Sequence, residues 1–164
     1  MPKVAFISDI HGNLEALTAV LRDIDRRKVD EIYCLGDIVG YGPDPVACVD
    51  AVRARASVVI CGNHDEALIR GALGFNQVAR EAIEWTRMLL RPRVFRPRSF
   101  ARWRFLGTLP LIAQRHGWLL VHGSPRDPTS EYVLPRHVAW SPPGMFDEIF
   151  SAFESLCFVG HTHV

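Results

Sequence analysis

Five short apolar runs stand out along the chain, and each is followed at once by polar residues or glycine. They cover residues 3–8, 31–35, 58–61, 118–121 and 156–159. Short, continuously apolar runs bounded by turn residues are typical of buried strands, which in parallel sheets are covered on both faces. We therefore predict a strand at each run, with the first three strands in one parallel sheet.

Helical spacing of apolar residues fills the segments between the first strands. It predicts a helix over residues 15–28, with Asn13 as its N-cap, and a second helix over 45–55. Alternating strands and helices predict an α/β fold. The segment 66–109 is helical in character, with expected breaks at Pro92 and Pro97. We predict one domain over residues 1–164, with a helical insert or cap at about 66–110.

The polar residues that could perform chemistry follow the apolar runs. Of seven histidines, five come directly after such a run. The candidates are Asp9, His11, Asp37, Asn63, His64, His122, His161 and His163. In open α/β sheets ligands bind outside the carboxyl ends of the strands, so we expect these side chains to converge. Mixed oxygen and imidazole donors suit Zn, Mn or Fe, which predicts a metal site.

Composition and charge narrow the choice of partners. Hydrophobic residues make up 48% and charged residues 23%, which is typical of a globular protein. A formal net charge of +1 gives no general attraction to nucleic acid or to an anionic membrane. The apolar run at the amino terminus is too short for a signal peptide, so we expect a cytoplasmic protein. The four cysteines show no CxxC spacing, and we expect buried thiols.

The motifs at the strand ends resemble, in full order, the signature of the calcineurin-like metallophosphoesterases. They are Asp9-Ile10-His11, Gly36-Asp37, Gly62-Asn63-His64-Asp65, Val121-His122-Gly123 and Gly160-His161-Thr162-His163. The run 36–43 is similar to the small prokaryotic phosphodiesterase branch of that superfamily. The resemblance implies a layered α-β-β-α sandwich and a hydrolase acting on a phosphodiester or phosphomonoester.

The resemblance also implies a role for each candidate residue. One metal would be held by Asp9, His11 and His163. The other would be held by Asn63, His122 and His161, with Asp37 bridging the two ions. His64 would face the substrate phosphate and protonate the leaving oxygen. A metal-bridging hydroxide would attack phosphorus directly, and the two divalent ions would be Mn, Fe, Zn or Ni, with Mn favoured.

Two alternatives stay open beside this interpretation. A protein Ser/Thr phosphatase is disfavoured, because those enzymes carry a further aspartate three residues after the bridging one, where this chain has Gly40. A catalytically weak or inactive scaffold of the same fold is the second alternative, and an intact His64 argues against it. We expect a small phosphoester or nucleotide as substrate rather than a nucleic acid, and no membrane partner.

The carboxyl end departs from the usual family pattern. Family members continue past the Gly-His-Thr-His motif into further strands, whereas this sequence ends at Val164. We therefore expect a fold that lacks those strands and holds His163 weakly. An uncovered sheet edge invites pairing with a second copy, so a homo-oligomer or loss of metal is expected.

Seven arginines lie between residues 87 and 104, interleaved with aromatic residues and uninterrupted by any acid. A solvated cap helix is one interpretation of this segment. Steering of anionic substrate toward the site is another, because arginine binds phosphate bidentately. Binding of single-stranded nucleic acid is the third.

Overall fold

The computed structural model describes residues 2–163, apart from the side chain of Val138. Two three-stranded sheets carry the fold. The first consists of parallel strands β1 (Val4–Ile7), β2 (Glu31–Cys34) and β3 (Val58–Val59), in that order. The second consists of β4 (Ile112–Arg115), β5 (Trp118–Val121) and β6 (Leu156–Phe158). Strand β5 is antiparallel to β4 and parallel to β6.

Seven helices are described in residues 2–163. They are α1 (Leu14–Arg26), α2 (Pro45–Arg55), α3 (Asn63–Arg70), α4 (Gln77–Leu90), α5 (Pro97–Gly107), α6 (Pro135–Trp140) and α7 (Asp147–Ser151). The Asn13 side chain accepts a hydrogen bond from the Ala16 N–H at 2.9 Å, which confirms the predicted N-cap. No helix in this part of the chain has the length and apolar character needed to cross a bilayer.

The alternating side chains of β2 connect three layers. Ile32 and Cys34 belong to a core cluster that also contains residues of α1 and α2. Tyr33 belongs to a second cluster that includes Leu120 of β5, so this cluster lies between the two sheets. Successive strand residues point to opposite faces, which is why one strand serves both clusters. Helices thus cover one face of the first sheet and the second sheet covers the other, and the predicted α/β fold is confirmed.

One strand was missed by the sequence pattern. Strand β4 has three exposed residues out of four and lies at an edge of its sheet, so it lacks the apolar run of a buried strand. The two-residue turn that joins it to β5 consists of His116 and Gly117, with φ values of 54° and 78°. Positive φ at both positions is the type I′ geometry that matches the twist of a hairpin.

Helices α3, α4 and α5 occupy the segment predicted as a helical insert. Helix α4 ends at Leu90 and α5 begins at Pro97, so Pro92 lies between the two helices and Pro97 is the first residue of the second. The assignment of one domain with a cap remains a prediction. Val164, on which the expectation about the end of the chain rests, lies outside the described residues, and association through a sheet edge also remains a prediction.

Candidate metal centre

The loops that leave the carboxyl ends of the strands bring all eight candidate side chains into one region. Three groups have ligand atoms within 4.8 Å of one another. The groups are Asp9 with His11 and His163, His11 with Asp37 and His64, and Asp37 with His122 and His161. They overlap through His11 and Asp37, so they form one continuous centre rather than three separate sites.

The Asp37 carboxylate lies at the middle of this centre. Its Oδ2 is 3.6 Å from His11 Nε2 and 3.4 Å from His122 Nε2. Its Oδ1 accepts the His64 backbone N–H at 2.9 Å, and the residue is only 1% exposed. One carboxylate therefore stands between the two outer groups, which is the position that a bridging ligand requires.

Two further contacts complete the donor set. His163 Nε2 lies 3.1 Å from Asp9 Oδ1, and His122 Nε2 lies 3.1 Å from Asn63 Oδ1. Ligands bound at about 2.1 Å to a common ion lie at most about 4.2 Å apart, so these groups need only a small adjustment to hold one. The donor types and their spacing fit divalent metal ions.

Backbone carbonyls orient the imidazole rings. His122 Nδ1 lies 2.7 Å from the Leu35 carbonyl oxygen, and His11 Nδ1 lies 3.1 Å from that of Val39. A nitrogen in contact with a carbonyl carries the ring proton, which leaves Nε2 as the free donor. Each of these carbonyls belongs to a residue flanking Asp37, so the same loop that carries the central carboxylate also sets both rings.

Strained backbone accompanies the candidate ligands. Asp9, His11, Asp37, His161 and His163 all adopt positive φ, between 48° and 61°. Non-glycine residues adopt this left-handed region at an energetic cost, and such strain concentrates at functional sites.

The sequence model of the calcineurin-like phosphoesterases matches residues 2–164. The chain belongs to the calcineurin-like phosphoesterase family. The prediction of this family is thereby confirmed.

Relatives of known sequence or structure extend the comparison. A metallophosphoesterase from Sphaerobacter thermophilus has 44% identity and a TM-score of 0.77, covering 98% of this chain and 60% of its own. An uncharacterized protein of Methanocaldococcus jannaschii is 38% identical over 98% of this chain and 62% of its own length. A symmetrical bis(5'-nucleosyl)-tetraphosphatase of Aliivibrio fischeri is 33% identical over 44% of this chain and 28% of its own. The chain thus spans about three fifths of the length of the first two.

Neighbouring charge determines the direction of the pKa shift of Asp37, whereas burial determines that of His64. Burial opposes ionisation of Asp37, but the hydrogen bond and charge of His122 hold its pKa below the ordinary value. Burial opposes charge on His122 in turn, yet the adjacent Asp37 raises its pKa. Burial lowers the pKa of His64 to about 4, so its ring is neutral at pH 7 before a ligand arrives.

The Asp65 side chain stabilises the loop that contains Asp37. Its carboxylate accepts the backbone N–H groups of Ile38 at 3.1 Å, Val39 at 3.2 Å and Gly62 at 3.1 Å. It therefore ties the loop after β2 to the start of α3, and it does not pair with the His64 ring. Burial, and then the charge of Asp37, raise the pKa of Asp65 to about 7. The sequence left its role open, and only its contacts define it.

Gly40 lies directly against the ring of His64. A Cβ on Gly40, which has φ +101°, would be 2.5 Å from His64 Nδ1 and 3.0 Å from its Cγ. That ring nitrogen is buried and has no hydrogen-bond partner among residues 2–163. Protein phosphatases of the superfamily carry an aspartate at the position of Gly40. Here the His64 ring leaves no space for a side chain at that position.

A pocket of about 620 Å³ opens over the centre. Besides candidate ligands and His64, its lining includes Tyr41, Phe75, Asn76 and Tyr132. These four residues were not among the predicted site residues. Tyr41 stands between two glycines in the loop after Asp37, which is a signal that could have been used, whereas Phe75 and Tyr132 lie in loops with no such mark.

The arginine-rich segment lies outside this pocket lining. Arg102 pairs with Asp50 at 2.5 Å, Arg87 donates to the Ala67 carbonyl at 2.8 Å, and Arg93 donates to the Met88 carbonyl at 2.9 Å. These contacts tie three of the seven arginines to residues of α2, α3 and α4, which favours the cap-helix interpretation of the segment over phosphate steering.

Proposed function

We propose that this chain forms a binuclear metal centre that hydrolyses a phosphodiester or phosphomonoester. The observation that supports it best is the Asp37 carboxylate, which lies within 3.6 Å of a donor nitrogen from each of two histidine-containing groups. In this proposal Asp9, His11 and His163 hold one ion. The other ion is held by Asn63, His122 and His161, with Asp37 shared between them. Mn²⁺ is favoured, with Fe, Zn and Ni as alternatives for the same donors.

When bound, such a pair of ions supplies a hydroxide nucleophile at neutral pH and neutralises charge developing on the phosphoryl oxygens. Besides the residues that would hold the ions, the chain contributes the side chain of His64 to the reaction. Burial keeps the His64 ring neutral at pH 7, and the negative charge of a bound phosphate would favour the imidazolium form. His64 then donates its proton to the leaving oxygen.

The nucleotide names of some relatives support including nucleotide esters among the substrates. Direct attack on phosphorus predicts that one solvent oxygen appears in the phosphate product of a single turnover. Hydrolysis in water labelled with ¹⁸O, followed by mass spectrometry of that product, tests this step. A product without label would contradict direct attack.

Release of nitrophenol from bis-p-nitrophenyl phosphate tests the function itself. We expect activity that requires Mn²⁺ and falls by about 10²- to 10⁴-fold in His64→Ala. His116→Ala is the matched control, because His116 contacts Glu31 at 3.1 Å and does not line the pocket. Activity absent with every metal, in a chain that binds two ions, would instead support the inactive scaffold.

A further inference from the structure

Aromatic side chains surround the substrate side of the metal centre. The Tyr41 ring lies 4.7 Å from the ring of His64 and 5.0 Å from that of His11, measured between centroids. Phe75 contacts His64 edge-on at 5.1 Å. The Tyr132 ring lies 4.1 Å from that of His161. Rings therefore flank His64 and two of the candidate ligands, His11 and His161, and all three aromatic residues line the same pocket.

Two of these rings are held open toward solvent rather than packed in the core. Tyr41 is 51% exposed and Tyr132 is 52% exposed. Neither hydroxyl makes a hydrogen bond with another group in the described part of the chain. Tyr41 also adopts φ 53°, a left-handed conformation that is unfavourable for a bulky residue. A Tyr41 ring that stays half exposed at this cost, beside the rings of His11 and His64, points to a ligand.

The rest of the lining explains what kind of group would bind there. Within residues 2–163, the pocket lining contains no lysine or arginine, so nothing outside the candidate centre offers a fixed positive charge to additional phosphates. Asn76, also in the lining, accepts the Ala79 N–H through its Oδ1 at 2.9 Å, which leaves its amide nitrogen as a donor for a ligand. A ring-lined wall without fixed cations favours a flat, uncharged group attached to the reacting phosphate.

We propose that Tyr41, Phe75 and Tyr132 form a subsite for a planar aromatic ester group of nucleobase size, an inference that rests on the proposed phosphoesterase function. The substrate is then a diester of a single phosphate in which the group that stays on the phosphate carries the base. Stacking of one base on an aromatic side chain is worth about 5- to 150-fold in affinity.

Diesters with a common leaving group test the subsite separately from the chemistry. Thymidine 5'-p-nitrophenyl phosphate and methyl p-nitrophenyl phosphate both release nitrophenol, and they differ only in the second ester group. We expect kcat/KM with Mn²⁺ to be at least about tenfold higher for the thymidine ester. Equal values for the two esters would overturn the subsite while leaving the phosphoesterase function intact.

Variants then assign the preference to particular rings. Tyr41→Leu and Tyr132→Leu should each reduce the ratio of the two kcat/KM values, whereas Tyr41→Phe should retain it, because the ring remains. Phe95→Leu is the control, since Phe95 is 97% exposed and lies outside the pocket lining. A ratio that survives in both leucine variants would refute the assignment.

A binding measurement keeps the test independent of turnover. Calorimetric titration of the Mn²⁺-loaded chain with adenosine 5'-monophosphate and with ribose 5-phosphate compares ligands that differ by the base alone. We expect tighter binding of the adenosine ligand by about tenfold, reduced in Tyr132→Leu. Equal affinities would refute the subsite even if no ester were hydrolysed, and hydrolysis of neither ester would contradict only the proposed function.

Discussion

Replacing Gly40 with alanine should disable His64 without removing the metal ligands. The new Cβ would lie 2.5 Å from His64 Nδ1, 3.0 Å from Cγ and 3.3 Å from Cε1. Ordinary carbon–nitrogen contacts are about 3.5 Å, so the ring must move by about 1 Å. A misplacement of that size in a catalytic group costs about 100-fold in rate, which is the expected loss of kcat/KM.

The backbone also contributes, and a matched variant isolates that part. Alanine at the φ of +101° found at Gly40 costs about 1–3 kcal/mol of stability. Gly117 has φ +78° and no atom within 4 Å of its Cβ position, so Gly117→Ala carries backbone strain without the contact. We expect both variants to melt at lower temperature by circular dichroism. Only Gly40→Ala should lose activity toward bis-p-nitrophenyl phosphate.

A double-mutant cycle decides whether the loss passes through His64. In the His64→Ala background the added Gly40→Ala change should cost almost no further activity, because the ring that it displaces is already gone. Metal content measured by mass spectrometry should remain that of the unmodified chain. A further large loss in the double variant, or equal losses in Gly40→Ala and Gly117→Ala, would refute the reasoning.

Four other perturbations have defined outcomes. Asp65→Asn should lower kcat about 10- to 100-fold, because an amide cannot accept all three of the backbone N–H groups that the carboxylate accepts. Unchanged steady-state rates would show that the loop after β2 keeps its conformation without these hydrogen bonds. Asp37→Asn should reduce bound Mn²⁺ below two per chain by elemental analysis, and full occupancy would contradict a shared ligand. Removing metal with a chelator should lower the melting temperature, and Mn²⁺ at about 100 times its Kd should restore about 2.7 kcal/mol. Replacing Arg93, Arg96 and Arg98 with alanine should leave KM for the diester unchanged at 0.15 M salt, where charges act over about 8 Å; a several-fold rise would restore the steering hypothesis.

The sequence alone located the chemistry because each candidate residue follows a recognisable apolar run. Strand β5 and helix α2 have the predicted bounds, Trp118–Val121 and Pro45–Arg55. Strand β4 escaped notice because an exposed edge strand needs no apolar pattern. Strands were therefore predictable where burial on both faces required a continuous apolar run, whereas the exposed edge strand β4 has no such run.

Relations between distant residues were decided only by the tertiary structure. The sequence placed Asp37, His11 and His122 at strand ends. The packing of the two sheets against each other then placed the Asp37 carboxylate between the His11 and His122 rings. Asp65 gained its role from backbone groups 26 and 27 residues away. Tyr41 and Tyr132 form walls of one pocket because their loops meet above the sheets, a consequence of packing that no local pattern records. Local apolar periodicity determines which residues reach the site, whereas side-chain packing determines what each can contact there.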